Sequence, residues 1–189
     1  MRIMDIVIIT GSNRPDAVST RIAGQVEQLA QKRGHRTIRF DLYRRPLPFF
    51  SPDDREPPRP EVAEFRQAVA EADAIVLATP EYHGSFSGTL KNALDHLVPD
   101  HFSGKAVLSV SAAGGRLGFG SLQQLQAVVR ALHGINAPEW ISVGGDEPAD
   151  WESDSADGPG SESAIRQRIV RATEVFLELA AKVRPQASF

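Results

Sequence analysis

The 189-residue sequence predicts an α/β protein built on a five-stranded parallel sheet with helices on both faces. Three observations carry this reading. Short β-branched runs alternate with longer stretches of helical spacing along the whole chain. The inner strand candidates are continuously apolar, as strands covered on both faces are. The turns after the first, third and fourth of them are rich in small residues.

Each element follows from its own residues. Ile6-Val7-Ile8-Ile9 is a buried strand ending in the turn Gly11-Ser12-Asn13-Arg14-Pro15. Ile22, Val26, Leu29 and Ala30 then recur at helical spacing, and Gly34 supplies a stop. Thr37-Ile38-Arg39-Phe40 is a half-exposed strand, expected at a sheet edge. Between residues 43 and 60, Pro46, Pro48, Pro52, Pro57, Pro58 and Pro60 exclude regular structure. That loop also carries Phe49 and Phe50, and reads either as a surface crossover or as a lid or dimer contact. Residues 61–71 form a short helix, and Ala74-Ile75-Val76-Leu77-Ala78-Thr79 the third strand. Leu90, Ala93, Leu94 and Leu97 make one helix face, and Ala106-Val107-Leu108-Ser109-Val110 the fourth strand. Leu122, Leu125, Val129 and Leu132 make the next face, and Trp140-Ile141-Ser142-Val143 a fifth, short strand. Residues 144–162 read as an exposed loop before a last amphipathic helix through Ile165, Ile169, Ala172, Phe176, Leu179 and Val183.

Composition excludes several classes of function. A net charge of −3 lacks the concentrated basic face that a nucleic-acid binder needs. The absence of cysteine removes disulfides, thiolate zinc sites, iron–sulfur clusters and cysteine nucleophiles together. No apolar run approaches the ~20 residues that span a bilayer. The first ten residues carry Asp5 and end in a glycine turn, unlike a signal peptide. The expectation is one cytoplasmic domain, residues 1–189, with neither a nucleic-acid nor a membrane partner.

Ligands of such sheets bind beyond the carboxyl ends of the strands. After the first strand, Gly11, Ser12, Arg14, Ser19 and Thr20 surround a helix N-terminus. Free N–H groups, hydroxyls and a guanidinium fork together suit a monophosphate. The other reading is an ordinary turn capped by Ser19. Asp16 is unfavourable beside a phosphate and should point away. The loop matches neither GxGxxG nor the Walker A pattern, so a single phosphate is favoured over a pyrophosphate. After the third strand comes Pro80-Glu81-Tyr82-His83-Gly84-Ser85, and after the fourth, Ser111-Ala112-Ala113-Gly114-Gly115-Arg116. Their small residues offer backbone amides to a flat ligand.

Pro80-Glu81-Tyr82-His83-Gly84-Ser85, followed by Gly88, Leu90-Lys91-Asn92-Ala93 and Asp95, resembles the signature of NAD(P)H-dependent FMN reductases. The commoner family form has Asn in place of His83. The resemblance covers nearly the whole chain in order and spacing. It implies the flavodoxin-like three-layer sandwich with strand order 2-1-3-4-5, FMN as cofactor, NADPH or NADH as donor, and a homodimer or homotetramer. It puts the FMN phosphate on Ser12, Arg14, Ser19 and Thr20, beside Gly11. The isoalloxazine edge would rest on Pro80, Glu81, Tyr82, His83, Gly84 and Ser85, with Ser111, Gly114 and Gly115 on the other side. Arg116 would meet the NADPH phosphate or face solvent. His83 is expected to act through its backbone, and Tyr82 to pack beside the ring or buttress the loop.

The implied activity is hydride transfer from NAD(P)H through FMN to a flat or diffusible acceptor: flavin, quinone, azo compound or metal oxyanion. With one shared pocket the cycle is ping-pong. No acid–base residue is required, because the flavin carries the chemistry. A flavodoxin-type electron carrier and a turnover-less flavin binder remain as alternatives. A receiver domain is excluded, since Gly11-Ser12 and Thr79-Pro80 stand where it needs carboxylates. Asp95, His96, Asp100 and His101 invite a metal reading, but their side chains diverge on the helix and in the turn beyond it. Lys91 and Asp95, four apart, form a surface pair or part of a subunit contact.

Overall fold

The computed structural model describes residues 2–54, 56–115, 118–145 and 163–183. Arg116 and most of the 144–162 loop lie outside these residues. In chain order the elements are β1 (Asp5–Thr10), α1 (Val18–Lys32), β2 (Arg36–Asp41), α2 (Pro60–Glu71) and β3 (Ala74–Tyr82). They continue with β4 (Ser85–Phe86), α3 (Gly88–Asp95), a 3-10 turn (Pro99–His101), β5 (Ala106–Ala112) and α4 (Phe119–Ala131). The last are β6 (Ile135–Asn136), β7 (Ile141–Val143) and α5 (Ala164–Val183).

The sheet runs β2-β1-β3-β5-β6, with β7 pairing farther along β5. All of these pairs are parallel; Val7 stands beside Ile75 and Val76 beside Leu108. This is the flavodoxin-like order once β6 and β7 count as one broken strand. The expected count of five strands is corrected to seven among the described residues. The last strand is interrupted between β6 and β7, where Pro138 supplies no N–H to a ladder. A short antiparallel strand, β4, folds back on the end of β3. No sequence pattern marked it, because two residues are too few for a period.

Alternate strand residues serve opposite layers. Ile6 and Ile8 pack with Ile22 and Val26 of α1 and Ile169 and Phe176 of α5. Val7 and Ile9 pack with Phe65 of α2, Leu90 and Leu94 of α3, and Leu125 of α4. Each fully buried side chain of this kind contributes about 1.5–3 kcal/mol. β2 buries Phe40 but leaves Ile38 exposed, as an edge strand does. No helix among the described residues is long and apolar enough to cross a membrane. The carboxyl ends of β1, β3 and β5 therefore deliver their loops to one edge.

Candidate active site

The loop after β1 is shaped by packing as well as by its own turn. A Cβ on Gly11 would lie 2.5 Å from Leu90 Cβ, so the glycine is required by the close approach of α3. Ser12 is buried, and its Oγ accepts from the Arg14 backbone N–H at 3.0 Å. α1 then begins at Val18 behind Ala17, with no side-chain cap and no acidic residue in its first turn. Ser19 lies inside that turn and does not cap it. Its Oγ is buried and has no hydrogen-bond partner among the described residues, and the residue is only 1% exposed. An uncapped helix start with an unsatisfied hydroxyl favours an anion.

The loop after β3 is a hairpin. Tyr82 pairs with Ser85 and Glu81 with Phe86, leaving His83 and Gly84 as the two turn residues. Both have positive φ, 53° and 75°, the signature of a type I′ turn. Such a turn prefers Asn-Gly, and His is among the few other side chains enriched in that region. This explains physically why the family motif carries Asn or His at this place. The Tyr82 hydroxyl donates to Asn13 Oδ1 at 3.0 Å, tying the hairpin to the loop after β1. Tyr82 thus buttresses the loop.

Thr79 and Ser87, outside the expected site residues, and Glu81 and Ser111, among them, hold these loops in register. Thr79 Oγ1 accepts from the Ser87 N–H at 3.0 Å. Ser87 caps α3 by accepting from the Leu90 N–H at 3.0 Å, and donates its own proton to the Gly11 carbonyl. Glu81 turns its carboxylate to α4, accepting from the Ser121 N–H at 2.8 Å and the Ser121 hydroxyl at 3.0 Å. Ser111 pairs with the same hydroxyl at 2.7 Å. Its side chain lies beneath α4, and Ala112 and Ala113 take the place at the cavity wall expected for it.

A cavity of about 400 Å³ opens where these loops meet. Of the expected residues it collects Arg14, Ser19, Pro80, Glu81, Tyr82 and Gly114. It adds Arg21 beside the phosphate loop and Gly145 from the loop after β7. Gly11, Ser12, Thr20, His83, Gly84, Ser85, Ser111 and Gly115 do not line it. Asp16, expected to point away, belongs to the wall and has φ 49°.

The proline-rich segment borders the site and is pinned. Asn92 Nδ2 donates to the carbonyls of Leu47 and Pro48, while its Oδ1 accepts from the Phe50 N–H at 2.9 Å. His96 Nε2 lies 2.9 Å from the Pro48 carbonyl oxygen. The Asn of the motif is thus a loop clamp. Lys91 and Asp95 form the surface pair, at 2.7 Å.

The residues present fit an FMN phosphate and a flat ring. The cavity wall brings together a cation, a buried hydroxyl and an uncapped helix start, with Asp16 beside them, and the small residues Ala112, Ala113 and Gly114. A doubly wound α/β fold with a mononucleotide-sized cleft at its strand ends defines the class: a nucleotide-cofactor protein of the flavodoxin-like type. Residues 4–147 match the sequence profile of the NADPH-dependent FMN reductases, and the chain belongs to that family. It is an NAD(P)H-dependent oxidoreductase that uses FMN. An FMN-dependent NADPH-azoreductase of Staphylococcus aureus is 32% identical over 167 residues, covering 86% of this chain and 89% of that one. Among solved structures, the flavoenzyme FerB of Paracoccus denitrificans, an NAD(P)H:(acceptor) oxidoreductase, superposes with a TM-score of 0.77 at 20% identity. That match covers 97% of this chain and all of the other. An apo NADH:FMN oxidoreductase gives 0.75 at 18% identity, over 97% and 91%. These two similarities speak for the fold.

Proposed function

We propose that the protein, as one domain with one FMN, passes a hydride from NAD(P)H to a flat or diffusible acceptor in a ping-pong cycle. FMN supplies the redox chemistry when bound, accepting two electrons as a hydride and yielding them to the second substrate. The protein's own groups bind and orient. Arg14, Ser19 and the first turn of α1 hold the phosphate. The turn formed by His83 and Gly84 presents backbone N–H groups, which stabilise negative charge that develops nearby. The small residues 112–114 admit a flat ring without obstruction.

The observation that carries this reading is the Ser19 hydroxyl, buried without a partner among the described residues in the cavity wall that Arg14 also lines. The azoreductase relative supports azo compounds as acceptors. The proposed assembly is a homodimer or homotetramer. An anaerobic absorbance titration with FMN, followed by NADPH and NADH, tests the reading. A bound flavin band that bleaches on nicotinamide addition is expected. Bound FMN that bleaches no faster than free flavin would leave an electron carrier, and absence of binding would overturn the cradle.

A further inference from the structure

The hairpin that borders the cavity is gripped from one side by the start of α4. Glu81, at its base, accepts two hydrogen bonds from Ser121. At its tip, any Cβ on Gly120 would collide with the Gly84 carbonyl, so the helix backbone and the turn are in direct contact. One turn further along α4, Gln124 reads two consecutive residues of the hairpin. Its Nε2 donates to the Gly84 carbonyl at 3.0 Å, and its Oε1 accepts from the Ser85 hydroxyl at 2.5 Å.

We propose that Gln124 is a positioning residue for this hairpin, an inference that rests on the functional reading above. Its primary amide satisfies both halves of the Gly84–Ser85 contact at once, which neither a carboxylate nor an amine can do. Anchoring the Gly84 carbonyl fixes the peptide plane that leaves the turn. The peptide between His83 and Gly84 is fixed from the other side. Flipping it would need the glycine-only region at His83. The backbone N–H groups of His83 and Gly84 donate to no other backbone group among the described residues. The direction of the Gly84 N–H is therefore set by residue 83, while Gln124 holds the turn as a whole in place against α4. Both N–H groups stay available to a cofactor. Gln124 is itself exposed, and α4 packs through Leu122, Leu125 and Val129 instead. The helix does not need the amide in order to fold.

The test compares wild type, Gln124→Ala, the near-isosteric Gln124→Glu and Ser85→Ala, each loaded with FMN. Amide exchange across residues 82–86 is read on the cofactor-free proteins. Stopped-flow reduction by NADPH and the midpoint potential of the flavin are read on the loaded ones. Unchanged melting temperatures are expected, with faster exchange in the hairpin. Flavin reduction should slow by about tenfold or more at saturating NADPH, the scale of a small misplacement, with the NADPH dissociation constant unaltered. Gln124→Glu should be worse than Gln124→Ala, because its carboxylate opposes the Gly84 carbonyl. Ser85→Ala, which keeps the bond to Gly84, should be mildest. A folded, FMN-loaded Gln124→Ala with wild-type rate and potential overturns the assignment, whatever its exchange. A wild type that binds no FMN is a different result and overturns the functional reading itself.

Discussion

Ser19 is the residue at which stability and function separate. Its hydroxyl is desolvated without a partner among the described residues, which costs folding free energy, and removing such a group is neutral or stabilising. Ser19→Ala should therefore leave the cofactor-free protein as stable as wild type or more so, while weakening FMN. Parallel urea melts and FMN titrations read both, and a variant that loses stability but keeps affinity would contradict the assignment. Arg14→Ala should weaken FMN by about 1.5–3 kcal/mol, the range for a hydrogen bond to a charged group. The check is a fluorescence titration of the flavin. Gly11 behaves oppositely. Its Cβ would strike Leu90, so Gly11→Ala should cost about 1–3 kcal/mol by overpacking whether or not FMN is present.

Among the elements, α3 does more than cover the sheet. Ser87 at its start binds Leu90, Thr79 and Gly11, and Asn92 in its second turn binds the 47–50 loop. Ser87→Ala removes a helix cap and strands the Gly11 carbonyl. A loss of about 1–2 kcal/mol in urea denaturation is expected. Asn92→Ala should speed amide exchange at Phe50 with little change in global stability, because the loop opens locally. Phe49, 93% exposed on this pinned backbone, is held out from the surface by that clamp.

Across the whole molecule the two edges of the sheet divide the work. The carboxyl ends carry the cavity. The opposite edge carries buried titratable groups. His35 Nδ1 accepts from the Met4 N–H at 3.2 Å, and burial holds the imidazole below its usual value of 6.5. Lys105 donates to the Val69 and Ala70 carbonyls at the end of α2, and burial lowers its ammonium to about 8. Both shifts have one sign: the unfolded chain binds the proton more readily than the fold. Stability contributed by His35 is thus full above pH 6.5 and lost as pH falls through its folded value. That of Lys105 rises between about pH 8 and its ordinary 10.5. His35→Asn keeps an acceptor without a titrating group. It should flatten the loss of urea midpoint below pH 6.5 while leaving FMN affinity unchanged, since the site is on the far edge.

The sequence by itself determined the layers and the parallel sheet, and it pointed to the loop after β1 as a candidate phosphate site. Apolar runs such as Ile6–Ile9 and Ala74–Thr79 are local patterns with one compact solution, two-sided burial. Gly11-Ser12-Asn13-Arg14 before a helix is likewise a local chemical statement. Only the tertiary structure decided which of those residues face the cavity. Ser111 and Glu81 read as site residues, yet the Ser111 hydroxyl and the Glu81 carboxylate both bond Ser121 at the start of α4, and of the two only Glu81 also lines the cavity. The tying roles of Thr79, Ser87, Asn92 and Gln124 went unread for the same reason. Each works on a residue far away in the chain, and no period or spacing records a partner brought near by folding.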